Sequence, residues 1–294
     1  NGDCSLSLAC DFTPAIWRRA RVRVAQINPA LPATPGAPSI PLSAFDAVTE
    51  LETVPRGYDA GRLPPAFEQI AAHIAPLVPD GAAVQFGLGK VQLAVLPALK
   101  AHRGLTIHSG MVSDPLLEIL DGDTVAAIRT GAVLGSAELA AALSDDPRLM
   151  MAPVNETHAL SVLSALPDFI AVNSAVEVDL FGQVNAEWVG GTLASGTGGL
   201  ADFARGAQGS PGGKSVIALA SAAKGGTVSR IAPVLKDRPA ALSRSAVDVI
   251  VTEHGAADLT GLDLDARAAA ITAIADPNFR DMLSGQWSEM RRAF

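Results

Sequence analysis

Six glycines, at positions 182, 190, 191, 196, 198 and 199, crowd a stretch that ends in the helical pattern Leu200-Ala201-Asp202-Phe203-Ala204-Arg205. A glycine cluster that opens a helix lets the backbone approach a ligand closely and turns amide N–H groups toward it. The same cluster also fits a loop in which glycine serves turn geometry alone. Neither a G-x-G-x-x-G fingerprint nor a P-loop lysine accompanies it, which argues against a dinucleotide or NTP site. Glu177 and Asp179 stand two residues apart on an extended segment and so share one face. Three further places set glycines or polar groups where strands are expected to end: Gly87-Leu88-Gly89-Lys90, His108-Ser109-Gly110-Met111-Val112-Ser113-Asp114, and Val154-Asn155-Glu156-Thr157-His158. Ligands in open α/β sheets collect beyond the carboxyl ends of the strands. A histidine there either moves a proton or is a hydrogen-bonded, half-buried side chain; Asn155 and His158 also suit a plain helix entry.

The elements that must hold these residues alternate. Pro64–Ala75 has helical periodicity, with Phe67, Ile70 and Ile74 on one stripe, and Pro76 stops it. Strands are expected at Ala82–Phe86, Leu105–His108, Ala126–Arg129, Leu149–Val154, Phe169–Val178, Ser215–Ala220, Thr227–Ile231 and Val247–Thr252. Helices are expected at Val91–Lys100, kinked by Pro97, and at Ser136–Leu143 and His158–Leu166. One more is capped by Asp263 or Asp265, and another follows Pro277. This rhythm predicts an α/β fold, an open and mostly parallel sheet with helices on both faces. Prolines 29, 32, 35, 38 and 41 recur at every third residue, which predicts an extended, polyproline-like crossing. A boundary near Pro55–Gly61 then divides residues 1–55 from a domain over 56–294.

With 49% hydrophobic and 18% charged residues among 294, the chain has ample material for a core and little tendency to disorder. A net charge of -8 argues against a nucleic-acid or anionic-membrane surface. No apolar run reaches the roughly 18 residues a bilayer span needs. Cys4 and Cys10 are the only cysteines, so a disulfide framework or metal site is not expected, and a cytoplasmic location is the default.

The wording of four blocks is more specific than their physics. NSAVEVDLFGQVNAE at 173–187 with GTGGLADFARG at 196–206, AKGGTVSRI at 223–231 and VTEHGAADL at 251–259 closely resemble the C-terminal half of the acetyl-CoA hydrolase/transferase family, class I CoA-transferases that include 4-hydroxybutyrate CoA-transferase. Gly2-Asp3-Cys4-Ser5-Leu6 and Val24–Pro29 resemble the tail of that family's preceding lobe. The resemblance implies a CoA-transferase-like fold and a homodimer. It further implies an acyl-CoA and a small carboxylate as partners, with coenzyme A as substrate and no bound cofactor. By resemblance Gly87 and Gly89 form a backbone loop near the thioester, where Lys90 takes the place of a small residue and Gln92 that of a proline. Gly198, Gly199 and Lys224, with Arg205, meet the coenzyme, and the Gly199 N–H serves the thioester oxygen. Asn155, His158 and Glu253 lie near the bound carboxylate.

The segment from His108 to Asp114 resembles the family's H-T-E-M-x-S-D, whose glutamate attacks the acyl-CoA and becomes a glutamyl-CoA thioester. Gly110 occupies the matching position, so the nucleophile is absent. Two readings follow. In one, an enzyme transfers CoA between small acids or hydrolyses acyl-CoA, with water above Gly110, His108 or Asp114 as base and Gly199 as donor. In the other, a homologue binds CoA or acyl-CoA without turnover. Gly110→Glu is expected to restore some transfer. Glycine offers no side chain to attack with, so the protein is expected to form no covalent glutamyl-CoA when mixed with acyl-CoA. Intact mass spectrometry checks this, and an adduct on Glu177 or Glu253 would relocate the site.

Overall fold

The structure, a computed structural model, describes residues 2–34, 36–54, 57–59 and 61–293. Its centre is an eight-stranded sheet. The strands are β1 (Ala83–Phe86), β2 (Leu105–Val112), β3 (Val125–Val133), β4 (Leu149–Met151), β5 (Ile170–Ser174), β6 (Lys214–Ala218), β7 (Val249–Thr252) and β8 (Gly255–Asp258). They run in the order β8-β7-β6-β5-β1-β2-β3-β4. Every pairing is parallel except β7 with β8, a hairpin whose turn is Glu253-His254. From β1 the chain winds outward through β2 to β4, then returns to the other side of β1 and winds outward again. The order therefore reverses between β1 and β5, where loops leave in opposite directions and a crevice opens.

The central strands are mostly buried, in keeping with a sheet covered on both faces. On one face Val84, Val172, Val216 and Val251 pack with helices α1 (Ala66–Ile74) and α2 (Lys90–Ala98). On the other, Ile217 and Ile250 join α4 (Leu200–Gly209) and α5 (Leu264–Ala273), while Ala83, Ala171 and Phe203 close a small cluster around Phe169. Helix α3 (Ala137–Ser144) begins at Ser136, whose hydroxyl accepts from Leu139 N at 3.2 Å. Asp263 caps α5, and Pro277 opens α6 (Pro277–Arg291). The expected α/β sheet is thus present, with helices on both faces. Among the described residues no helix is long and apolar enough to cross a membrane.

Three local expectations change. Strands β2 and β3 run several residues further than their apolar runs suggest, because the ladder continues through Met111–Ala132 and Val112–Val133 until Pro115 ends it. Gly110 is therefore a strand residue rather than a loop residue. The expected helix from His158 breaks into two short turns, Val154–Thr157 and Leu160–Leu163, with His158 at the corner. The expected strand Phe169–Val178 divides into β5 and the separate strand Glu177–Asp179, which belongs to another small sheet.

The described residues before position 55 include two small ladders, Asp3–Ser5 with Ser39–Pro41 and Val24–Ile27 with Ala47–Glu50. Leu8 and Cys10 hydrogen-bond to Val133 and Gly131 of β3, and Cys10 is buried in the same apolar cluster as β1 and β2. Of the boundary expected near 55–61, Pro55, Arg56 and Ala60 lie outside the described residues, as does Pro35 of the proline series.

Phe169 is fully buried, with its ring centroid 6.2 Å from His108 and 6.5 Å from Phe203. Phe169→Ala is expected to destabilise the fold by roughly 3–5 kcal/mol through lost burial and the cavity left behind. Denaturant unfolding measures it, and a midpoint shift near zero would contradict this packing.

Candidate functional site

The crevice between β1 and β5 is a cleft of about 490 Å³. Its floor is a reciprocal amide pair. Gln85 Nε2 donates to Asn173 Oδ1 at 3.2 Å, and Asn173 Nδ2 donates to Gln85 Oε1 at 2.9 Å. Both side chains are buried, and neither leaves an amide unpaired across the two strands. Gly87 continues from β1 and donates its N–H to Val172 O at 3.1 Å. A methyl there would stand 3.2 Å from Asn173 Oδ1, so the residue type keeps the loop close to β5. Gly89 turns at φ +114, a conformation that L side chains rarely adopt, and starts α2.

Opposite this floor sits His158. Its ring lies between Gly110 on β2 and Gly199 at the start of α4. A methyl at 110 would be 2.9 Å from His158 Cε1 and 3.1 Å from Nε2, and one at 199 would be 2.5 Å from Nε2. Phe203, one turn into α4 from Gly199, stacks on the imidazole at 4.6 Å with a tilt of 46°. Nδ1 is held by Thr157 Oγ1 at 2.8 Å, so Nε2 is the nitrogen turned toward the glycines. Burial pushes the His158 pKa below its ordinary 6.5, while Asp202 and Asp11 pull the other way. Asp11 in turn is raised by its own burial and lowered by His158. Gly198 and Gly199 N–H donate to no acceptor among the described residues, and Gly199, at the helix start, stands beside the imidazole.

The residues expected from the sequence divide clearly. Gly87, Gly110, His158, Gly198 and Gly199 line the cleft, together with Ser109, Met111, Ser174, Thr197 and Phe203. His108 does not reach it. The side chain is 1% exposed, donates from Nε2 to Thr157 O at 3.0 Å, and is held below its ordinary pKa chiefly by burial. Asp114 is turned away too: its Oδ1 accepts from Ser136 N and Ser136 Oγ, both at 2.8 Å, at the head of α3. Neither residue lines the cleft; the titratable side chain that stands against Gly110 is His158.

Glu253 sits on the β7–β8 turn, where its carboxylate accepts from Ser221 N and Ser221 Oγ at 2.8 Å each. Lys224 is exposed on the turn between Ala222–Ala223 and Val228–Ser229, Arg205 is exposed on α4, and Asn155 is exposed on its short turn. Lys90 is exposed at the start of α2, outside the cleft wall. Gln92 is buried and accepts from Ser113 Oγ at 2.7 Å, tying α2 to the end of β2. Glu177 pairs with Arg238 at 2.7 Å. Asp179, fully buried, accepts from the backbone of Phe181, Gln183 and Leu235, as a carboxylate that braces a turn does. Sequence reasoning passed over Phe203, although its spacing of four from Gly199 places both on one helix face. It also passed over the Gln85–Asn173 pair, which spacing alone does not announce.

A larger groove of about 640 Å³ lies between residues 6–9, residues 29–32 and α3. Among the described residues its wall carries no ionisable side chain, so it offers apolar surface rather than chemistry.

Position 110 has no room for a side chain while His158 stays in place, so the expectation that Gly110→Glu alone restores transfer is revised. Gly110→Glu is expected to destabilise the fold by about 1–3 kcal/mol through overpacking. Adding His158→Ala is expected to recover most of that loss. Thermal melts of the two single variants and the double variant test it; additive effects would separate the two positions.

Comparison with known proteins agrees with this fold. Residues 135–287 match the family model of the acetyl-CoA hydrolase/transferase C-terminal domain. The chain is 34% identical over 299 residues to the 4-hydroxybutyrate coenzyme A transferase of Clostridium kluyveri, with 98% of this chain and 70% of that protein covered. The crystal structure of RipA from Yersinia pestis superposes with a TM-score of 0.93 at 32% identity, covering 99% of this chain and 68% of RipA. A 4-hydroxybutyrate CoA-transferase from Porphyromonas gingivalis gives 0.84 at 34% identity, over 100% of this chain and 72% of its own.

Proposed function

The chain belongs to the acetyl-CoA hydrolase/transferase family, and from that premise we propose that it binds a small acyl-CoA in the β1/β5 cleft and acts on the thioester there. Coenzyme A is substrate in this reading, not a resident cofactor. The observation that carries it is the pair of unengaged amides at Gly198 and Gly199 on the cleft wall, with Gly199 against His158, at the point where the strand order reverses. Two N–H groups at a helix start are suited to a thioester carbonyl, whose oxygen gains charge as the carbon is attacked. The reaction is transfer of CoA to another small carboxylate or hydrolysis. Of the residues assigned to the carboxylate, His158 is the one on the cleft wall. Lys224 and Arg205 are the exposed cations assigned to the phosphates of the coenzyme.

The proposal also includes a homodimer, a cytoplasmic location and residues 1–55 as the tail of a preceding lobe. A chain that binds acyl-CoA without turning it over is the competing reading, and Gly110 is the residue that favours it.

Titration calorimetry with CoA and with acetyl-CoA tests the site. Wild-type protein is expected to bind both. Gly199→Trp drives an indole into His158 and Phe203, and is expected to weaken binding at least about tenfold; one tenfold step is about 1.4 kcal/mol. Its melting temperature is measured alongside to exclude unfolding. Equal affinity in a folded Gly199→Trp protein would remove this loop from the site.

A further inference from the structure

We infer that His158 is the general base of the cleft and that the reaction it supports is hydrolysis of the acyl-CoA thioester by water. This rests on the acyl-CoA reading above and decides between the reactions left open there.

The first ground is the composition of the wall. Among the described residues His158 is the one ionisable side chain that lines the cleft; no Asp, Glu, Lys, Arg or Cys does. Passing CoA from one acid to another by way of the protein requires a group that can itself become a thioester, which means a carboxylate. Imidazole cannot be converted to a thioester. A cleft with an imidazole and no carboxylate retains the other route, in which the acyl group passes to water.

The second ground is orientation. Thr157 Oγ1 lies 2.8 Å from His158 Nδ1 and 3.4 Å from Pro153 O. With Nδ1–H donating to Thr157 Oγ1, and the hydroxyl donating on to Pro153 O, Nε2 carries the free lone pair on a ring that lines the cleft. The ring is clamped between those glycines and Phe203, so it is held without a second hydrogen bond. A base fixed in this way loses little freedom at the moment of reaction.

The step balances as follows. Nε2 takes a proton from water, and the water oxygen bonds to the thioester carbon. The carbonyl electron pair moves to its oxygen, opposite the Gly198 and Gly199 amides. Collapse of this intermediate breaks the C–S bond, and the thiolate takes the proton from the imidazolium. Free acid and CoA leave, and no oxidant, metal or second acid is consumed. Thr157 acts through His158 and is a positioning residue.

Protonation must oppose this activity. The charged groups facing His158 are Asp202 from α4 and Asp11 from the segment before Thr13, with His108 beneath on β2 and the Arg129–Glu156 ion pair beyond it. Desolvation outweighs the two carboxylates, so the ring is neutral at pH 7 and protonates only below its ordinary 6.5.

The experiment follows thiol release from acetyl-CoA by the whole chain, with no carboxylate acceptor added, while calorimetry measures acetyl-CoA binding separately. Wild-type protein is expected to release thiol and acetate, with a rate flat above pH 7 that falls below a pKa under 6.5. His158→Gln is expected to lose at least about a hundredfold in rate, the lower range for a general base, with affinity changed less than about threefold. Added imidazole is expected to restore part of the rate to His158→Ala, and Thr157→Val is expected to lower the rate less than either. Wild-type protein that binds acetyl-CoA without releasing thiol overturns the inference but leaves the ligand assignment standing. So does a His158→Gln protein as fast as wild type, or an acyl group trapped on serine or imidazole by mass spectrometry. Absence of binding overturns both readings.

Discussion

The site depends on one steric fact: an imidazole fills the space that two missing side chains leave. His158 contacts the positions where Cβ atoms would stand at Gly110 and Gly199, at distances real Cβ atoms essentially never show. Neither glycine needs an unusual backbone there. Gly110 is in regular strand, and Gly199 has φ -82. What each supplies is volume, and the ring uses it. Phe203 closes the open side of the ring, and Thr157 fixes its rotation.

That contact is possible because five elements from distant parts of the chain converge. Strand β2 brings Gly110, the corner between two short turns brings His158, and α4 brings Gly199 and Phe203, while β1 and β5 supply the floor. The convergence follows from the winding of the sheet. Reversal of strand order at β1/β5 sends successive connections to opposite faces and leaves the carboxyl ends of the central strands uncovered. The Gln85–Asn173 pair crosses that seam and satisfies two buried amides where apolar packing would otherwise be interrupted. Similar architecture in solved structures at about one third identity, with TM-scores of 0.93 and 0.84, shows that the frame is shared.

Much of this was legible in the residues. Short apolar runs gave β1, β6 and β7 to within two residues at each end, since these strands are largely buried. The stripe of Phe67, Ile70 and Ile74 gave α1, and Asp263 and Pro277 marked the starts of α5 and α6. The glycines at 87, 110, 198 and 199 could be singled out by their loops and by the wording around them. Strand β2 was cut short because Ser109-Gly110 is poor strand material by itself; its pairing with β3 overrides that local preference. The helix expected from His158 was overextended because propensity says nothing of a corner at which the chain turns onto the sheet.

By itself the sequence determined the class of fold, the family and the absence of a carboxylate at position 110. These are properties of residue type and order, and they require no contact to be known. Tertiary structure decided which polar groups meet. It sealed His108 under Thr157, gave Asp114 to the head of α3, placed Glu253 on a hairpin turn, and left His158 on the wall between two glycines. Side-chain direction and burial decide such roles, and both depend on elements that approach one another across separations of 22 to 49 residues of chain.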